Sequence, residues 1–113
     1  MLPRQISFPQ SISGGVKLVP GKIEGQVVSY GEDGNLVTDI PVERLRTAPR
    51  DPSVVVTCDE HHTVGLFGPE HQEPPMTLLA LLSNSGFLEL VIVGDSAKIM
   101  LGVRVGQPIT VQW

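Results

Sequence analysis

Ser83 to Gly102 reads SNSGFLELVIVGDSAKIMLG, and its three parts set the fold class. Asn84-Ser85-Gly86 is a tight-turn signal. Phe87 to Val93 is an apolar run with β-branched residues, long enough for one buried strand. Gly94-Asp95-Ser96 then opens a short helix, Ala97 to Leu101. Asp95 or Ser96 caps its free N–H groups, and Gly102 takes the left-handed conformation that ends it. Glu89 is the only charge in the strand. Polar stations flank the strand at Asn84/Ser85 and at Gly94/Asp95; they suit either a ligand at a rim or two ordinary turns.

The rest of the chain has the same texture. Twelve Gly and ten Pro among 113 residues mean frequent turns. Apart from Asp95–Leu101 and a turn near Pro41 to Arg46, no helical period is present. Short Val/Ile/Leu/Thr runs between breaks predict an all-β barrel or sandwich of one domain, with one short helix near the C-terminus. Met1 to Gly15, rich in Pro, Ser and Gly, is expected to be an arm or linker, and residues 16–113 the barrel.

In chain order, Val16 to Val19 is a short apolar segment that stops at Pro20-Gly21. Lys22 to Tyr30 is a strand, with Gly25 marking a bulge or the close approach of another backbone. Asp33-Gly34 turns the chain into Asn35 to Ile40, where Leu36, Thr38 and Ile40 share one face and Asn35, Val37 and Asp39 the other. Val54 to Thr57 and Thr63 to Phe67 pair across a polar turn. Gly68 to Met76 is a Pro-rich loop, and Thr77 to Leu82 a strand. Pro108 to Gln112 is the last strand, with Ile109 and Val111 inward and Trp113 on the barrel end.

Charge and composition exclude several functions. The net charge is −4 with no basic block, which argues against nucleic acid as a partner, because phosphate binding rests on clustered Lys and Arg. Cys58 is the only cysteine, so neither an intrachain disulfide nor a cysteine-based zinc site is expected, and a reducing compartment fits. MLPRQISFPQ lacks the continuous apolar segment of a signal peptide, and no run reaches membrane-spanning length. The expected location is the cytoplasm, with no membrane partner. Cys58-Asp59-Glu60-His61-His62 has metal-ligand residue types, but adjacent histidines in an extended chain point to opposite sides, and no metal is expected. Asp33, Asp39, Glu89 and Asp95 have no partner visible in sequence, so no catalytic residue is assigned. Asn35, at the hairpin mouth, offers a donor and an acceptor suited to a purine edge, or closes the turn through its own backbone.

Two segments together resemble a known family. Asp33 to Ile40, DGNLVTDI, is similar to the FGN-(I/L/V)-(I/V)-TNI signature of S-adenosylmethionine hydroxide adenosyltransferases, the S-adenosylmethionine hydrolases related to fluorinases and chlorinases. Asn84 to Val111, NSGFLELVIVGDSAKIMLGVRVGQPITV, resembles the GYLEIAVN-xGNAA-xxLG-xxxGDxV segment of the same C-terminal domain. The resemblance covers residues 16–113 and implies a small β-barrel. Such barrels grip the adenosine and methionine ends of S-adenosylmethionine, while an N-terminal domain of a neighbouring subunit in a trimer positions the attacking water or halide. No segment here is similar to that N-terminal domain, so a separate catalytic partner is implied. Carried over by position, Asn35 and Gly94 fall on the adenine side, and Asn84 and Ser85 on the methionine side. The chain departs from the pattern at Gly31, where the family has an acid, at Asp33, where it has an aromatic, and at Val93, where it has Asn. The expected function is an adenosine or S-adenosylmethionine half-site that is not catalytic alone. The alternative is a structural or assembly barrel without ligand.

Overall fold

The computed structural model describes residues 21–113, so the expected arm and the Val16–Val19 segment lie outside the described residues. Among the described residues eight strands form one sheet: β1 Lys22–Tyr30, β2 Leu36–Pro41, β3 Val55–Cys58, β4 His61–Val64, β5 Leu66–Phe67, β6 Leu78–Leu82, β7 Phe87–Ile92 and β8 Pro108–Gln112. Their order is β4-β3-β8-β1-β2-β7-β6-β5. All neighbours are antiparallel except β5 and β6. The sheet curls until its ends nearly meet. Thr63 Oγ1 on β4 donates to the Leu78 carbonyl on β6 at 2.9 Å, bridging that seam. An edge covered this way is not left as an open pairing template.

The nine residues of β1 serve both halves of the barrel. Lys22 to Gln26 pair with β8, and Val27 to Tyr30 with β2. The β1–β2 register shifts between Val27 and Ser29, a bulge that bends the strand from one half into the other. The bulge is therefore not at Gly25. Gly25 pairs regularly with Ile109, and what approaches it closely is side chains, the Asp39 carboxylate and Ile40.

Alternation fills the core. Leu36, Thr38 and Ile40 of β2, Leu88, Leu90 and Ile92 of β7, and Ile109 and Val111 of β8 are all buried. Thr38 is the polar member of this set. The β2–β7 register breaks between Val37 and Pro41. There Thr38 Oγ1 donates to the Leu88 carbonyl at 2.7 Å and accepts from the Ile40 N–H at 3.2 Å. One hydroxyl thus serves two backbone groups that a buried gap in the ladder would leave unpaired. Trp113 packs against the core, and its backbone exchanges both hydrogen bonds with Gly21.

The expected strand over Thr63 to Phe67 is two strands. Gly65, with φ +83, turns the chain between β4 and β5, so β4 pairs with β3 while β5 crosses to run parallel to β6. The polar turn is also shorter than expected: His61 and His62 belong to β4, and Asp59 and Glu60 alone form the turn. The chain from Pro41 to Arg46 makes one 3-10 turn over Val42–Leu45, burying Leu45. Arg44 and Arg46 are exposed.

Helix α1, Ala97–Leu101, has the expected bounds. Ser96 Oγ accepts from the Ile99 N–H, and Gly102 ends the helix at φ 67. The helix is tied to the β1–β2 turn, since the Lys98 N–H donates to the Gly34 carbonyl at 2.7 Å. Gly34 has φ +84, and a Cβ there would overlap the Ser96 hydroxyl and its Cβ. Gly106 has φ +99 but open space around it. Gly106→Ala therefore costs only the backbone strain, about 1–2 kcal/mol. Gly34→Ala adds a clash with the helix cap and lowers stability further. Denaturant unfolding of both variants checks this ordering. Separately, Thr38→Val strands two buried backbone groups and destabilises the fold by about 1–3 kcal/mol, read as a lower midpoint at unchanged slope.

Candidate functional site

On β7, Phe87, Glu89 and Val91 alternate with the buried Leu88, Leu90 and Ile92. Glu89 has aliphatic cross-strand neighbours on both sides, Val37 of β2 and Leu81 of β6. It is nevertheless only 6% exposed. A carboxylate in such a place needs donors, because burying it unpaired costs several kcal/mol. It has two. Asn35 Nδ2 donates to Oε1 at 3.2 Å, and Ser85 Oγ donates to Oε2 at 2.8 Å. Bonds of this kind to a carboxylate are among the stronger ones in proteins.

Glu89 thereby links two of the expected site residues, Asn35 and Ser85, that come from different turns. Three of the four acids have partners that the sequence does not show, while Asp33 makes no side-chain hydrogen bond among the described residues. Asp39 accepts from the Gln26 N–H at 2.9 Å, and Asp95 from the Ser96 N–H at 2.7 Å. Sequence reasoning missed the role of Glu89. The available signal was a lone charge inside an apolar strand, where an unpaired charge is rarely tolerated.

Asn35 and Gly94 come together. Both line a recess of about 410 Å³ at the barrel rim, with Asp33, Val91, Ile92 and Asp95. The recess is within the size range of small-molecule sites. Gly94 has φ +77, and a Cβ there would meet only Pro75, at 3.9 Å. It is the left-handed backbone, not a lack of room, that calls for glycine here. Among the described residues, Gly94 N–H and C=O make no backbone hydrogen bond, which leaves both for a ligand edge. Asn35 Oδ1 and its second Nδ2 hydrogen are likewise unpaired among the described residues. The lining holds two carboxylates and no cationic side chain.

The pair expected on the methionine side, Asn84 and Ser85, is arranged differently. Ser85 sits at the β6–β7 turn, outside the recess lining, and its hydroxyl hydrogen is already given to Glu89. Its oxygen also accepts from the Phe87 N–H at 3.4 Å. Asn84 is exposed and makes no side-chain hydrogen bond among the described residues.

Two other sequence features are elsewhere. Asp59, Glu60 and His61 bring ligand-type atoms within 4.8 Å of one another at the β3–β4 turn. Both acids are exposed, and His61 Nε2 is engaged with the Leu101 carbonyl at 3.1 Å. Cys58 is 1% exposed in the core. Burial first, and then the nearby Asp59 carboxylate, pushes its thiol up to about 11. It stays protonated at neutral pH and is no nucleophile.

A small barrel with a polar-edged rim recess is a domain class, and similarity narrows it to one family. The chain belongs to the SAM hydroxide adenosyltransferase C-terminal domain family, whose model matches residues 25–110. Solved structures share the fold. An uncharacterised conserved protein from Thermotoga maritima superposes with a TM-score of 0.65 at 24% identity, covering 80% of this chain and 35% of that one. A conserved hypothetical protein from Thermus thermophilus does so with a TM-score of 0.59 at 24% identity, covering 78% of this chain and 32% of that one. The chain thus spans about a third of the length of either. No curated protein matches it. Among the described residues no helix is long and apolar enough to cross a membrane.

The thiol gives a direct check on this core. Its folded-state value lies above that of the unfolded chain, so its contribution to stability is complete below pH 9.0 and is lost as pH rises through about 11. A thiol reagent at pH 8 reacts with Cys58 slowly in the native protein and rapidly once denaturant unfolds it. Equal rates in the two states contradict the assignment.

Proposed function

We propose that this domain is the adenosine-contacting half of a composite S-adenosylmethionine site, completed by a separate N-terminal catalytic domain. The observation carrying this reading is that Asn35 and Gly94, the two adenine-side positions, share one recess with unpaired polar atoms. Adenine offers an exocyclic amino donor beside ring-nitrogen acceptors, and an Asn amide with an adjacent backbone N–H and C=O complements that pattern. Val91 and Ile92 offer apolar surface for the ring. With two acids and no cation in the lining, the recess suits a neutral or cationic nucleoside, and a phosphorylated nucleotide binds less well.

The chain alone is not expected to turn over S-adenosylmethionine. Activating water calls for a positioned base or a dehydrated site. Glu89, Asp39 and Asp95 are each engaged in hydrogen bonds, and the recess opens to solvent. Completion by a partner domain supplies what the barrel lacks.

A second reading, a barrel used for assembly, draws on one observation. Ile99 on α1 is 77% exposed, with Met100 beside it on the same helix, and large apolar groups this open suit a protein contact. Under that reading the protein self-associates or docks without nucleoside.

Titration of isotope-labelled protein with adenosine separates the two. The half-site reading predicts that the Asn35 and Val93–Asp95 amides shift together and saturate, with a Kd on the order of 1 mM, as befits half of a site. Asn35→Ala weakens binding about tenfold, the equivalent of roughly one hydrogen bond. No movement at saturating adenosine leaves the assembly reading as the working one.

A further inference from the structure

We propose that Glu89 is a positioning residue that sets base selectivity at the rim recess. By accepting from Asn35 Nδ2 it holds the amide with Oδ1 as the unpaired acceptor. The recess then favours a purine with an exocyclic amino group over its 6-oxo counterpart. This rests on the adenosine reading above.

A free Asn amide does not discriminate well, because half a turn exchanges its donor and its acceptor. Here the half turn is blocked. It would set Asn35 Oδ1 against Glu89 Oε1, two acceptors with no hydrogen between them. The carboxylate cannot easily turn away either. Its other oxygen is filled by Ser85, which is held in the β6–β7 turn by the Phe87 N–H. The Glu89 backbone lies in the middle of β7 and is paired on both sides. Glu89 is buried and is not part of the recess lining, so it acts through Asn35 and does not itself touch the base. In the same pose a 6-oxo purine would present its oxygen to Oδ1, an acceptor facing an acceptor that the site disfavours; only a shifted pose would let that oxygen reach the free Nδ2 hydrogen.

The variant Glu89→Gln keeps shape and volume but replaces one acceptor with a donor. A Gln side chain can present its NH2 to Asn35, which turns the amide over, or its oxygen, which leaves Ser85 without its acceptor. The expected result is that wild-type protein binds adenosine about tenfold or more tightly than inosine, and that this ratio falls toward one in Glu89→Gln. The backbone amide spectrum should stay native. Ser85→Ala, on an exposed turn, lowers the ratio part of the way, because the carboxylate loses its second anchor. The Asn35 side-chain amide resonances, assigned through Asn35→Asp, shift in ligand-free Glu89→Gln. An unchanged adenosine-to-inosine ratio in both variants overturns the proposal, as does an equal loss of both nucleosides, which is what a merely structural role would give. Wild-type protein that binds neither nucleoside sinks the adenosine reading and this proposal with it. Wild-type binding without the ratio change overturns this proposal alone.

Discussion

A carboxylate held among aliphatic neighbours needs donors, and Glu89 finds them in Asn35 and Ser85. Left unpaired it would cost several kcal/mol, a large share of the stability of a domain this size. The requirement ties the β1–β2 hairpin mouth to the β6–β7 turn through β7. Two features that look like independent turns in the sequence therefore keep a fixed relation in space. The edge of the recess follows from that relation, because the same bond that satisfies Glu89 orients the Asn35 amide.

The barrel supplies the frame for this arrangement. The long β1, bent at its bulge, lets one strand serve two halves of the sheet, and Thr38 repairs the gap where the β2–β7 ladder breaks. Capping of α1 by Ser96 and Gly102, with the Lys98–Gly34 bond, fixes the segment that carries Gly94 and Asp95 beside the hairpin. Gly94 is a rim position whose N–H and C=O make no backbone hydrogen bond among the described residues. A free N–H and C=O side by side suit the edge of a planar base.

What was legible in the sequence was local. The bounds of α1 could be read because both caps are side chains or glycines within the same short stretch. Strand faces could be read because alternation places Leu36, Thr38 and Ile40 inward without reference to the rest of the chain. Gly65 does not stand out in the sequence because it sits between apolar residues that continue the pattern on either side. Its positive φ, which splits β4 from β5, leaves no trace in hydropathy. The role of Glu89 was illegible for a different reason: Asn35 lies 54 residues away, and no spacing rule connects them. The resemblance puts Asn35 and Gly94 in separate motifs; the fold brings both to one recess.

The position of a bound purine tests the rim recess most directly. Intermolecular NOEs between adenosine and the labelled protein measure this. Contacts are expected from the adenine ring protons to the Val91 methyl groups and to the Asn35 side-chain amide. Contacts to another face of the barrel, or none at saturating adenosine, would contradict that placement.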